Sequence, residues 1–477
     1  MSSKDSDIVA SNTRLGNKLI AVFTGKILPV LSLSIIMILF SRKLSYNDYG
    51  QFQMLWIYCN ITSVLISFGL SSVILSTSFN YFISFFKTYK RNIFLLYTFG
   101  TIITFVAFYF TAKHLSSQIK WLLIIFIFLQ CICTLIDTLL IKKNLFKVYL
   151  FINFIYTPLF FVIHLYFFYN NYLLYQLIFC ITFLSFVKAI YIFFIPKKMF
   201  ASDNSKAPDN FISNWLFIGI NEITGIVARW LDKIFLLYLL SSANFAIFFN
   251  GAFEIPLFGI LISSIENIML TNMSADILNK QAAKNIFKES FKILSIIAFP
   301  LFFFLLTMHS EAFDIIFKNK YNASIPVFLI SIFIIPIRIT HYGVILQCYG
   351  QSKKITFGAL MDIGLSLLLM FILYPLMGTR GVALAIVIST YLQAGYYLWQ
   401  SAVIMQVKIN VLIPYSFLLK LLMGLAVVYG MLYYVKQYFN NVEVFFAVLM
   451  FTIVIIGAGL AIYLKQTKEL NVSLQEL

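Results

Sequence analysis

The chain has 477 residues, of which 61% are hydrophobic and 11% are charged, with a formal net charge of +17. An ordinary soluble domain is about half apolar and about a quarter charged, so a soluble globular protein is excluded because too few polar groups are present to cover its surface. The cations are spread over many loops and form no dense patch. This excludes nucleic acid as the expected partner and favours the Lys/Arg bias of a membrane protein.

Apolar segments long enough to cross a bilayer recur along the whole chain. Spanning takes about 20 mostly apolar residues, and runs that are apolar on all sides indicate helices, whose backbone satisfies its own hydrogen bonds in lipid. The sequence predicts an all-α polytopic membrane protein with about fourteen transmembrane helices. The predicted spans are 19–40, 48–74, 91–111, 120–141, 148–169, 172–195, 213–239, 244–270, 290–308, 324–346, 355–374, 379–402, 414–435 and 444–464.

The N-terminus and the cysteines carry no processing or metal signal. Residues 1–18 are polar, and the first apolar run lacks a small-residue cleavage site, so we expect it to be retained. The five cysteines lie in or beside apolar runs without zinc-binding or redox spacing, so we expect free thiols.

The distribution of lysine and arginine predicts the orientation. With the N-terminus inside, 21 of these residues fall in inside segments and 8 in outside segments, which places both termini in the cytoplasm. The longest predicted loops, 196–212 and 271–289, are too short for a folded catalytic domain. In the second loop, Lys280, Lys284 and Lys288 recur at four-residue spacing among apolar residues, which predicts an amphipathic helix on the cytoplasmic surface.

Two segments resemble one another at an offset of 196 residues. Residues 44–52 (LSYNDYGQF) and 240–248 (LSSANFAIF) share Leu, Ser and Phe, and each joins the first predicted helix of a half to the second. An even number of helices per half predicts two parallel repeats. The resulting organisation is a six-helix bundle (1–195), a cytoplasmic linker (196–212), a second six-helix bundle (213–402) and two extra helices with a short tail (403–477).

Charges inside predicted spans are the candidate functional residues, because each costs about 2.5–3.5 kcal/mol at the bilayer centre. In predicted helix 7, Glu222, Arg229 and Lys233 fall within about 40° of one face, and Asp232 lies close enough to pair with Arg229. This pattern predicts an aqueous substrate cavity; the alternative is a static ion-pair network between helices.

Four further residues extend this hypothesis. Lys26 corresponds to Glu222 at the repeat offset, so the two could pair across the cavity. Glu254 is a candidate ion-coupling group with Asp232, or an ion-pair partner of the helix 7 cations. Arg338 and His341, three residues apart in predicted helix 10, are weaker candidates. Charges near the predicted cytoplasmic ends are expected to snorkel or to form local salt bridges: Asp137, Lys188, Glu266, Asp362 and Lys420.

The chain resembles polysaccharide flippases of the multidrug/oligosaccharidyl-lipid/polysaccharide exporter superfamily, and most of all the O-antigen flippases. The resemblance is carried, in order, by residues 44–52, by 231–236 (LDKIFL) with 244–248, by 313–321 (FDIIFKNKY), by 345–354 (ILQCYGQSKK) and by 377–385 (MGTRGVALA). Lys26 matches the family's basic residue in helix 1, and Arg229, Asp232 and Lys233 match its charged stretch in helix 7. Glu222 and Glu254 depart from a purely cationic cavity.

The resemblance implies transport without enzymatic chemistry, cofactor or metal, in the bacterial inner membrane. The implied substrate is an oligosaccharide linked to undecaprenyl diphosphate or a similar lipid. Membrane lipids and glycan polymerase or ligase machinery are the implied partners. An ion-coupled multidrug or cation antiporter of the same fold remains the alternative. A nucleotide-driven pump is disfavoured, because Gly25 and Lys26 lack the rest of a phosphate-binding loop.

Overall fold

A computed structural model describes residues 27–76, 91, 98–110, 112, 115–143, 145–170, 173–191, 211–252, 256–275, 278–439 and 441–475, and it is almost entirely helical there. In chain order, the α-helices of the described residues are α1 (27–43), α2 (Tyr46–Ser67), α3 (Leu70–Ser76), α4 (Thr98–Phe110), α5 (Ser117–Lys142), α6 (Phe146–Tyr169), α7 (Leu174–Ile190), α8 (Phe211–Leu237), α9 (Ser242–Gly251), α10 (Pro256–Ala275), α11 (Lys280–Thr307), α12 (His309–Phe317), α13 (Ile325–Ser331), α14 (Ile334–Ile337), α15 (Val344–Cys348), α16 (Ser352–Met377), α17 (Thr379–Met405), α18 (Ile409–Leu412), α19 (Tyr415–Val435) and α20 (Asn441–Gln475).

The length and composition of these helices fit a bilayer. Within the described residues, seven helical segments are long and apolar enough to span: Ser117–Lys142, Phe146–Tyr169, Lys280–Thr307, Ser352–Met377, Thr379–Met405, Tyr415–Tyr438 and Val442–Tyr463. Shorter apolar helices cover Thr98–Phe110, Leu174–Ile190 and Asn322–Ile337. The prediction of an all-α polytopic membrane protein is confirmed, whereas the total of about fourteen spans stays a prediction. All five cysteines are free thiols, and none is fully exposed.

The chain forms two compact units, residues 1–246 and 247–477. In the first unit, α2 packs against α5 and α8, and α5 and α6 both pack against α7. In the second unit, α16 pairs with α17, and α11 is surrounded by α10, α14, α19 and α20. The two units are defined by the packing of their residues and not by similarity between them. The repeat and the predicted domain boundaries therefore stay a prediction.

Three predicted spans are interrupted rather than continuous. The helix predicted over 48–74 breaks between α2 and α3, where Phe68 and Gly69 adopt left-handed φ angles of 41° and 72°. An added Cβ at Gly69 would lie 2.9 Å from the Gly219 backbone, so glycine is needed there both for φ and for space. The span predicted over 244–270 is divided between α9, after which Ala252 forms a turn, and α10.

The third interruption lies in the span predicted over 324–346. It consists of the short helices α13, α14 and α15, and residues 338–343 between the last two are not helical. Pro336 precedes this break and Gly343 ends it. Lipid-exposed backbone cannot remain unpaired, so a break at membrane depth is tolerated only inside protein or beside a water-filled space.

The prediction of a separate amphipathic surface helix at Lys280–Lys288 is wrong. The same residues form the first turns of α11, which continues without a break to Thr307. The physical reason is that Phe287 and Phe291 are fully buried in the core and therefore hold this segment in line with the spanning part. Lys284 and Lys288 lie three residues before these two rings and are partly exposed at the edge of the buried face.

The two similar sequence segments touch each other within the first unit. A Cβ added to Gly50 of α2 would lie 1.9 Å from the carbonyl oxygen of Ser242, the first residue of α9. Only glycine allows two backbones to approach so closely. Met54, one turn after Gly50, contacts the Ser242 hydroxyl at 4.0 Å through its sulfur.

Candidate functional site

The four charges of α8 do not form one network. Asp232 and Lys233 are both about 6% exposed, and their carboxylate and ammonium groups lie 2.8 Å apart. The Lys233 ammonium also lies 5.8 Å from the centre of the Trp230 ring. This buried pair is locally neutral, which is the state that a low-dielectric environment favours.

Glu222 is held by a neighbouring helix. Its carboxylate accepts a hydrogen bond from the Ser72 hydroxyl of α3. A second bond holds α8 nearby, in which the Trp215 indole donates to the Phe68 carbonyl, in the break between α2 and α3, at 2.9 Å. Gly219 makes this approach possible, because the Phe68 ring fills the space that a side chain would occupy. Glu222 is therefore a partly buried polar contact between α3 and α8.

Arg229 differs from the other three charges because it is exposed. Among the described residues, no hydrogen bond or ion pair holds its guanidinium group. Ile212, Leu216 and Ile220 form an exposed apolar row at four-residue spacing on α8, and Arg229, nine residues after Ile220, lies on a different side of the helix. A guanidinium facing hydrocarbon at mid-span would cost about 2.5–3.5 kcal/mol, so we expect Arg229 to face water or a polar ligand.

Two predicted site residues, Lys26 and Glu254, lie outside the described residues. The Lys26–Glu222 pair and the role of Glu254 in ion coupling therefore stay predictions. The alternative ion pair between Glu254 and Lys233 competes with a partner already present, since Lys233 is bound by Asp232.

The helix break of the second unit gathers a second polar cluster, which we call the break cluster: Arg338, Thr340, His341, Glu266 and Asp362. Glu266 of α10 lies 3.2 Å from the imidazole of His341. Arg338, which ends α14, interacts electrostatically with Asp362 of α16. The Thr340 hydroxyl lies 2.5 Å from that of Ser290 in α11.

The break cluster bears on two expectations from the sequence, that Glu266 and Asp362 snorkel or form local salt bridges. Glu266 pairs with His341, 75 positions away in sequence, which is the salt-bridge alternative, whereas one Asp362 oxygen is buried without a hydrogen bond among the described residues. Sequence reasoning missed the break that brings them together. The available signal was Pro336 and Gly343 inside one predicted span, because interrupted spans commonly line binding sites in transporters.

Removing the cation of the break cluster should destabilise the second unit. We expect Arg338→Gln to lower the free energy of unfolding by about 1–3 kcal/mol, because Asp362 would lose the cation that offsets its buried charge. Asp362→Asn in the same chain should recover part of this loss. Thermal unfolding in detergent measures both effects, and equal losses in the single and double variants would contradict the assignment.

Asp137 and Lys188 belong to a separate network in the first unit. Their charged groups lie 2.8 Å apart, and the Lys188 ammonium also donates to the Asn153 side chain at 3.0 Å. It lies 4.9 Å from the centre of the Tyr156 ring. The salt-bridge alternative is therefore the one realised for this pair, which joins α5, α6 and α7.

The structure resembles solved membrane transporters over most of its length. It matches "Lipid II flippase MurJ, inward closed conformation" with a TM-score of 0.67 at 14% identity, covering 94% of this chain and 99% of that chain. A multidrug resistance MATE family transporter of the MOP superfamily in an inward-facing conformation matches with a TM-score of 0.52 at 13% identity, covering 80% and 94%. A MOP superfamily transporter from Pyrococcus furiosus matches with a TM-score of 0.54 at 13% identity, covering 81% and 94%. These likenesses establish a shared fold.

The fold is one that these membrane transporters share. A family described as "Polysaccharide biosynthesis protein" matches residues 39–326. Since this is more than half of the chain, the protein belongs to that family. A comparison with curated protein sequences gives no match.

Proposed function

We propose that this protein is a flippase that moves an oligosaccharide linked to a polyprenyl diphosphate, of the O-antigen repeat-unit type, from the cytoplasmic to the outer leaflet by alternating access. Its family is concerned with polysaccharide biosynthesis, and one solved structure of the same fold is named a lipid II flippase. Undecaprenyl diphosphate is the proposed carrier. Both termini are placed in the cytoplasm by the lysine and arginine count.

The observation that carries this proposal is the unequal state of the charges on α8. Asp232 and Lys233 neutralise one another, and Glu222 accepts a hydrogen bond from Ser72. Arg229 is thus the charge on this helix that remains exposed and unpaired among the described residues. A guanidinium group can bind a diphosphate through two parallel, charge-assisted hydrogen bonds. The helix as described offers an anion a partner at this position.

A cation antiporter of the same fold would need the opposite arrangement. Its site would present an acid to the substrate, whereas both described acids of α8 already have partners. The acid of α10, Glu266, is engaged with His341. This distribution favours the anionic lipid carrier over a cationic drug.

Deletion of the gene in its host separates these two functions. The flippase proposal expects loss of surface glycan, with the lipid-linked unit retained in the cytoplasmic leaflet and both defects repaired by the wild-type gene. Surface glycan is measured by blotting and leaflet location by accessibility to an externally added sugar-modifying enzyme. Normal glycan combined with new sensitivity to cationic dyes would instead establish the antiporter.

A further inference from the structure

The first turns of α11 carry a row of lysines with no assigned role. Lys280, Lys284, Lys288 and Lys292 follow one another at four-residue spacing, and we call this row the lysine ladder. Successive members are about 6 Å apart along the helix axis. Phe287 and Phe291 of the same turns are buried in the core, and each follows a lysine of the ladder by three residues, so the ladder runs along the edge of the buried face of α11.

The first and last lysines of the ladder have partners, and the two middle ones do not among the described residues. Lys280 donates to the Ile404 carbonyl at 3.1 Å, and Lys292 pairs with Glu289 at 3.1 Å. Lys284 and Lys288 are partly exposed, and no hydrogen bond or ion pair holds either of them within the described part of the chain. Two adjacent ammonium groups are therefore available to one anionic ligand.

The depth of α11 places these two lysines at the membrane surface. Its far end is fixed by Lys436, which donates to the Thr307 carbonyl at 2.7 Å and pairs with Glu311 at 2.9 Å. A helix of 28 residues is about 42 Å long, whereas the hydrocarbon core is about 30 Å thick. The excess of about 12 Å falls at the lysine end and brings Lys284 and Lys288 to the level of the lipid phosphates.

Neighbouring residues indicate the same boundary between the hydrocarbon core and the lipid phosphates. The Lys292 ammonium lies 5.9 Å from the centre of the Tyr463 ring in α20, and tyrosine is enriched at the membrane–water interface. Two residues further along α20, Lys465 is exposed. Positive charge on two adjacent helices is thus concentrated just outside this boundary.

We infer that Lys284 and Lys288 form a binding site for the phosphate of an anionic phospholipid in the leaflet next to them. Phospholipid phosphates occupy this depth around every spanning helix, and the charges are complementary. Basic groups near an anionic membrane surface attract such headgroups. The site would anchor the lysine end of α11, and it is independent of the substrate that the protein transports.

Native mass spectrometry of the full chain in detergent tests this inference, with phosphatidylglycerol and phosphatidylcholine of identical acyl chains as probes. We expect Lys284→Gln/Lys288→Gln to weaken phosphatidylglycerol binding about ten- to thirtyfold and to leave phosphatidylcholine binding unchanged. Lys353→Gln/Lys354→Gln is the matched control, because it removes the same charge from the start of α16, and its phosphatidylglycerol affinity should stay within about twofold of wild type.

Two results would contradict the inferred phospholipid site. Equal loss of phosphatidylglycerol binding in both double variants would mean that only net charge matters. Unchanged phosphatidylglycerol binding in the ladder variant, with loss of farnesyl diphosphate binding, would assign these lysines to a polyprenyl diphosphate instead. Neither result bears on the deletion phenotype, so this inference and the proposed function fail separately.

Discussion

Transport of the lipid-linked oligosaccharide is expected to fall by about ten- to a hundredfold when Arg229 is replaced by Gln. A hydrogen bond to a charged group contributes about 1.5–3 kcal/mol, and each 1.4 kcal/mol changes an equilibrium constant tenfold. Gln keeps much of the length and polarity of the side chain but removes its charge. The measurement is the amount of surface glycan restored to the deletion host, normalised to the amount of protein in the membrane.

Two further variants make this result specific. Arg229→Lys retains the charge but loses the planar, two-pronged geometry, so it should restore an intermediate amount of glycan. Arg380→Gln at the start of α17 removes an arginine from the predicted outer surface and should behave as wild type. Full restoration of glycan by Arg229→Gln would show that this exposed cation does not bind the substrate.

Replacing Lys188 by Met is expected to lower the free energy of unfolding by about 3–5 kcal/mol. Lys188 is 8% exposed, and its removal leaves Asp137 without the ammonium group 2.8 Å away. Breaking one side of a buried ion pair has an effect of this size, and we expect the lower end of the range, because Asp137 is 24% exposed and still accepts a hydrogen bond from Asn153 at 3.2 Å. Unfolding by titration with a denaturing detergent measures the change.

The double variant Lys188→Met/Asp137→Leu should be more stable than Lys188→Met alone, since it removes the uncompensated charge as well. Lys147→Met, at an exposed position in the first turn of α6, should change stability by no more than about 0.5 kcal/mol. If Lys188→Met unfolds as the wild type does, the network joining α5, α6 and α7 does not stabilise the first unit.

The helical membrane fold could be predicted because it depends on composition and on the lengths of apolar runs, both of which are local. Pro336 and Gly343 mark the break at residues 338–343 but do not by themselves predict it, because proline and glycine are tolerated within continuous transmembrane helices as well. The start of α11 was misassigned for a related reason. Lysines at four-residue spacing are typical of a surface helix and equally of a spanning helix that extends beyond the hydrocarbon, and only the burial of Phe287 and Phe291 distinguishes the two.

The sequence names candidate site residues, whose role stays a prediction, but it does not show how their side chains pair. Helical periodicity placed Glu222, Arg229 and Lys233 near one face, but it could not show that Lys233 binds its neighbour Asp232 or that Glu222 meets Ser72. Such pairings depend on rotamers and on helices distant in sequence. The same limit applied to Lys188, whose partners Asp137 and Asn153 lie 51 and 35 residues away.

The most direct test of the central claim is a flipping assay with the purified protein in phospholipid vesicles. A fluorescent oligosaccharide linked to polyprenyl diphosphate is confined to the inner leaflet, and a membrane-impermeant quencher reports its arrival in the outer leaflet. We expect flipping at a rate proportional to the amount of protein, with little flipping by Arg229→Gln. No flipping by the wild type, in vesicles where the same preparation transports a cationic dye, would contradict it.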